Sequence, residues 1–187
     1  MAKFSPRDHS RTEQGTALGR VLRNTGAPRD QGAWMPISCE LLESMAFRTL
    51  SPNASKVFYR IIIEHLRHGR TENGRLIVTH AQFTDYGVTS ELIADAIDEL
   101  AFKGLIKVSR GRAGNGTAHP NSYRLTLTGT HDGAAATNDW KACTRDTAKM
   151  WTETVRDEMR AKRAAKKSSL REGEVRPLRE PEVRRAG

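Results

Sequence analysis

Between residues 38 and 103 the large apolar side chains recur mostly at steps of three and four, the period of helices buried on one face. Leu41, Leu42 and Met45 follow Ser38, a residue suited to cap a first helix. Val57, Phe58, Ile61, Ile62 and Leu66 form the stripe of a stronger second helix. Ser51 caps it, Pro52 takes its first position and Gly69 ends it. Asn73-Gly74 marks a turn, and Leu76 to Val78 then reads as a short strand. Thr79 and Gln82 have the spacing of a capping box, opening a third helix that Gly87 stops. A fourth is capped by Thr89 or Ser90 and closed by Gly104. Its Leu92, Ile93, Ala96, Ile97 and Leu100 share one face of about 140°. Glu91, Ala94, Asp95, Asp98 and Phe102 lie opposite and are expected to meet solvent.

After Gly104 the period drops to two. Ile106 and Val108 alternate with Lys107 and Ser109, and Tyr123, Leu125 and Leu127 alternate with Arg124 and Thr126. Two strands are predicted, each with one buried face. A glycine-rich loop, RGRAGNGTAHPN at residues 110–121, joins them. A Gly/Ala/Thr-rich linker covers 129–138. Over 139–167 Trp140, Cys143, Thr147, Trp151, Val155 and Met159 return at steps of three and four, predicting one long amphipathic helix. Its last turns are basic, with Arg160, Lys162, Arg163, Lys166 and Lys167. Residues 1–33 form a polar, basic arm and residues 168–187 a polar tail, and both are expected to be disordered. The folded domain is expected over 34–128, and the class is α+β, mainly helical.

The middle helices meet across Gly87-Val88, a short glycine turn of the kind that joins a helix-turn-helix. With VTHAQFTDYGVTSELIADAIDELAFKGLIKVSRG followed by NSYRLT, the chain resembles the winged-helix branch of the helix-turn-helix proteins over roughly residues 51–128. AIDELAFKGLIKV looks like the end of a recognition helix running into the first strand of a wing. More loosely, LSPNASKVFYRII and NGRLIVT are similar to winged-helix segments of phage and plasmid replication-initiation proteins and of related proteins on mobile elements. The resemblance implies binding to double-stranded DNA. The helix at 89–103 would enter the major groove with Thr89, Ser90 and Glu91 nearest the base edges, and the loop at 110–121 would be the wing.

Charge agrees with a polyanionic partner. The 187 residues carry 31 Lys and Arg against 22 Asp and Glu, a formal net charge of +9. Residues 104–128 contain Lys107, Arg110, Arg112 and Arg124 and no acid at all. Asn115, His119 and Asn121 add donors for phosphate or sugar oxygens. The loop is not a nucleotide cradle, because its glycines lead to no lysine and no helix. The fourth helix is less suited to DNA, since its outer side is acidic. Two readings follow: the helix sits shallowly while wing and tails supply the affinity, or the domain is a protein-interaction adaptor with Phe102 and the acids in its interface.

Other chemistry is thin. His65 and His68 are three apart but lack a third ligand, so one packed and one surface histidine is the expectation. Cys39 and Cys143 are too few for a disulfide framework. No catalytic constellation, cofactor motif or metal site is expected. No secretory leader or membrane-spanning run is recognised, so the protein is expected to be cytoplasmic and nucleoid-associated. A homodimer through the 139–167 helix is expected, as is a role as transcriptional regulator or replication factor.

Overall fold

The computed structural model describes residues 32–111, 113–114 and 117–174, so most of the two ends expected to be disordered lies outside it. The described residues form an α+β fold, mainly helical, with a three-stranded antiparallel sheet and a small separate hairpin. Ser38 caps α1 (Cys39–Glu43) as predicted, by accepting from the Leu41 N–H. The helix then breaks. Ser44 is extended, and its hydroxyl donates to the Leu41 carbonyl and accepts from the Phe47 N–H, which starts α2 (Met45–Arg48). The break leaves Leu42 exposed while Leu41 and Ala46 enter the core.

The next elements follow their local signals. α3 (Pro52–Arg67) begins on Ser51, whose hydroxyl accepts from Ala54. Its Val57, Phe58, Ile61 and Ile62 are buried. β1 (Leu76–Ile77) leads to α4 (His80–Asp85), where both halves of the Thr79–Gln82 capping box are made, at 2.8 and 3.3 Å. Gly87 ends that segment at φ 85°, a conformation suited to glycine. A 3-10 turn, Ser90–Leu92, then runs into α5 (Ile93–Phe102). Neither Thr89 nor Ser90 caps it with a side chain. The Thr89 N–H is instead taken by Asn53 Oδ1 at 3.0 Å, which ties this turn to α3.

β2 (Ile106–Ser109) and β5 (Ser122–Leu125) pair antiparallel, with Val108 opposite Tyr123. β1 joins the other edge of β5, so the sheet order is β1-β5-β2. Between β2 and β5, β3 (Ala113–Gly114) and β4 (Thr117–Ala118) form the hairpin. Thr126, expected outside, is fully buried. Its hydroxyl donates to the Gly104 carbonyl at 2.7 Å, a bond that the alternating pattern could not reveal. α3, α5 and the sheet enclose one core of apolar side chains, including Phe58, Phe83, Leu100, Leu105 and Leu125.

Two buried polar residues fasten this core. Asn73, read in the sequence only as a turn former, accepts from the Leu125 N–H at 2.7 Å and donates to carbonyls of Leu125 and Gly129. Glu99 accepts from the Ser51 N–H (3.0 Å), the Ser51 hydroxyl (2.6 Å) and Lys103 Nζ (2.7 Å). Lys103 completes the set on the Thr49 carbonyl at 2.6 Å. Both charges are buried, and each is answered.

The chain then returns over the fold. The 129–138 segment is hydrogen-bonded to it, His131 N–H to the Asn73 carbonyl (3.0 Å) and Asn138 N–H to the Thr126 carbonyl (2.9 Å). A 3-10 turn, Asp139–Ala142, packs so closely on Gly104 that a Cβ there would stand 2.7 Å from the Asp139 carbonyl carbon. The single helix expected over 139–167 is interrupted at Cys143-Thr144. Thr144 caps a restart, α6 (Arg145–Met150), which continues through a π-helical turn, Trp151–Val155, into α7 (Arg156–Glu174). Helix thus extends past residue 167 into the segment expected to be disordered.

Glu99→Ala should cost about 3–5 kcal/mol, because it strands the buried Lys103 ammonium. Urea unfolding monitored by circular dichroism measures this. A change below about 1 kcal/mol would mean that Lys103 finds solvent by itself.

Candidate nucleic-acid interface

The outward face of α5 is not open. Phe102 packs against Trp151, with ring centroids 5.6 Å apart, and α7 lies along the same face. Asp95 and Asp98 are three residues apart on α5, and Arg160 and Arg163 are three apart on α7. The shared helical spacing lets the two pairs meet. Arg160 donates to Asp95 Oδ2 from Nε at 2.7 Å, and Arg163 donates to Asp95 Oδ1 and to Asp98 Oδ2. Arg110, at the root of the hairpin, takes the remaining Asp98 oxygen at 2.5 Å. Every oxygen of the two carboxylates therefore accepts from a guanidinium. The Asp98 side chain is only 7% exposed, so three elements are held by one nearly buried anion. Asp95 in turn holds the Arg160 guanidinium above its ordinary pKa, by hydrogen bond and charge.

The sequence places Asp95, Asp98 and Phe102 in solvent, and here the structure differs. Asp98 is buried, Asp95 and Phe102 are half-buried, and Glu91 stays exposed. Thr89 and Ser90, at the 3-10 turn that precedes α5, are also exposed. Nothing within α5 announces the cover, because the partners of Asp95 lie 65 and 68 residues further on. Complementary i, i+3 spacing of acids and arginines is the one signal available.

The region expected to be free of acids acquires two from elsewhere in the fold. Besides Arg110 on Asp98, Lys107 pairs with Asp139 at 2.9 Å, and that hydrogen bond holds the Asp139 carboxyl below the usual carboxylate range. Arg124 donates to the Ala135 carbonyl at 3.3 Å and is half-buried. Asn121 Oδ1 accepts from the Gly111 N–H at 3.2 Å, closing the base of the hairpin. His119 is exposed beside it. Arg112 and Asn115 lie outside the described residues. Lys107, Arg110, Asn121 and Arg124 therefore all lie on or next to β2 and β5, but each already has a protein partner.

The remaining candidates resolve into packing. Trp140 and Trp151, expected to pack either on the domain or against a second copy, are buried against their own chain. His65 is packed and His68 is on the surface beside Glu64 at 3.2 Å, the two environments anticipated for this pair. Burial, with Arg70 second, lowers the pKa of the His65 imidazole. Cys39 is exposed and Cys143 buried, both as free thiols. Among the described residues no cluster of three or more His, Cys, Asp or Glu side chains could hold a metal ion, and no helix is long and apolar enough to cross a membrane. Comparison with protein-family models, with curated proteins and with solved structures gave no match.

Trp151→Ala should destabilise the protein by about 3–5 kcal/mol and raise amide exchange at 93–102, since α6 and α7 lose their apolar anchor on Phe102. Exchange at 93–102 that stays at the wild-type level would show that α7 does not cover α5 in solution.

Proposed function

We propose that the chain is a non-enzymatic, double-stranded DNA-binding protein of the winged-helix type, acting as a regulator or replication-initiation factor of a bacterial or phage mobile element. The observation that carries this reading is the element order. α3, β1, α4, α5, β2, a hairpin and β5 follow one another, with α4 and α5 joined across Gly87 and the sheet ordered β1-β5-β2. That is the order in which a winged helix places a recognition helix beside a wing. In this reading α5 is the recognition helix and the β2–β5 connection is the wing. The net charge of +9 supports a polyanionic partner.

Affinity in this account comes from the phosphate backbone more than from base edges. The outer face of α5 is occupied by α7, which leaves Thr89, Ser90 and Glu91 as its open end. None of these is a cation suited to paired contact with guanine. The adaptor reading is weaker, because the Phe102 and carboxylate surface it requires is already engaged within the chain.

Fluorescence anisotropy with random-sequence duplexes across a salt series tests this. The expected log–log slope is about −0.9 per neutralised phosphate, and Arg110→Ala with Arg112→Ala should flatten it by about that amount for every phosphate these arginines neutralise. A dissociation constant weaker than roughly 10⁻⁴ M, or one without salt dependence, contradicts the reading.

A further inference from the structure

Arg160, Asp95, Arg163, Asp98 and Arg110 form one alternating chain of charges across α7, α5 and the root of the hairpin. At its outer end Arg160 also lies 3.8 Å from Asp157, which Arg156 holds in turn, so four cations meet three anions and the cluster keeps one surplus positive charge. The arrangement is layered. The carboxylates lie inside, with Asp95 and Asp98 side chains 12% and 7% exposed. The guanidiniums lie at the rim, at 46% for Arg160, 32% for Arg163 and 57% for Arg110. Each guanidinium carries more donors than these pairings consume, in a planar fork that suits phosphate oxygens.

We propose that this row is a track for the phosphates of a DNA duplex, and that Asp95 and Asp98 are positioning residues that hold its three arginines in place. The inference rests on the duplex-binding reading and assigns that reading its binding surface. An arginine fixed from behind gives up less side-chain freedom when it binds, so more of each phosphate interaction appears as affinity. Asp95 and Asp98 do not face the phosphates bare, because every oxygen of both already accepts from a guanidinium, and the exposed Asp157 is paired with Arg156 and Arg160. An acidic recognition helix is then compatible with DNA: the duplex meets the arginines, and the arginines meet the acids.

The rival role for the same ion pairs is a clamp that only keeps α7 over α5, and it predicts the opposite sign. Asp95→Asn combined with Arg160→Gln removes one guanidinium and its carboxylate at constant net charge. The track predicts duplex affinity about tenfold weaker and a salt slope shallower by about 0.9. Unchanged or tighter binding overturns it. Arg160→Gln alone leaves Asp95 and Asp98 paired with Arg163 and Arg110, so the fold is kept, and it should show the same weakening. Arg163→Lys keeps the charge but cannot bridge two carboxylates, and it should also weaken binding; wild-type affinity in this variant overturns the positioning role. Millimolar inorganic phosphate at matched ionic strength should not displace the duplex, and displacement would make free anion the ligand in place of DNA. If neither the wild type nor any variant binds a duplex, the function reading falls together with the track. If the wild type binds and the variants match it, the track alone falls.

Discussion

Asp98 is a carboxylate with almost no access to water, and a buried anion is tolerated only when it is paired and hydrogen-bonded. Its two partners come from the root of the hairpin and from α7, Arg110 and Arg163. Either element that leaves α5 strips that charge of one of its two guanidinium partners. One residue along the helix, Glu99 faces inward and does the same on the other side, with Lys103 and Ser51. Two consecutive acids, turned about 100° from each other by the helix, thus fix α5 to the start of α3 and to the C-terminal helix. The rest of the arrangement, including the cover over α5 and the row of arginines, follows from this pair.

Local chemistry makes a large part of the fold legible. Ser51 with Pro52, the Thr79–Gln82 box and the alternation at 106–108 are each read within a few residues, and each forms as expected. Features that depend on remote partners are not legible. Ser44 breaks a helix because its hydroxyl serves two backbone groups at once. Thr126 is buried because the Gly104 carbonyl is waiting for it. Asp95 and Asp98 look solvated until α7 is brought back over them. The apolar stripe of α5 lies where its spacing predicts, but an open far side does not follow from it. A second helix can cover a polar face when charges match in spacing and sign.

The same distinction governs the candidate interface. Counted along the chain, residues 104–128 are purely cationic. In space, Asp98 and Asp139 sit among those cations. Exposed pairs such as Lys107 with Asp139 are weak and yield readily to phosphate, whereas Arg110 is held by a nearly buried partner. The basic hairpin and the basic end of the last helix are legible in the sequence, but the pairing of Arg160 and Arg163 with Asp95 and Asp98 is not. Together with Arg110, those two arginines give the basic surface a defined geometry.

The pairing of α5 with α7 is tested most directly by a double-mutant cycle on unfolding free energy, with Asp98→Asn, Arg163→Gln and the combination. A coupling of about 1–3 kcal/mol between the two positions is expected. Additive effects, within about 0.5 kcal/mol, would show that α7 does not rest on Asp98 and would remove the basis for both the covered helix and the arginine row.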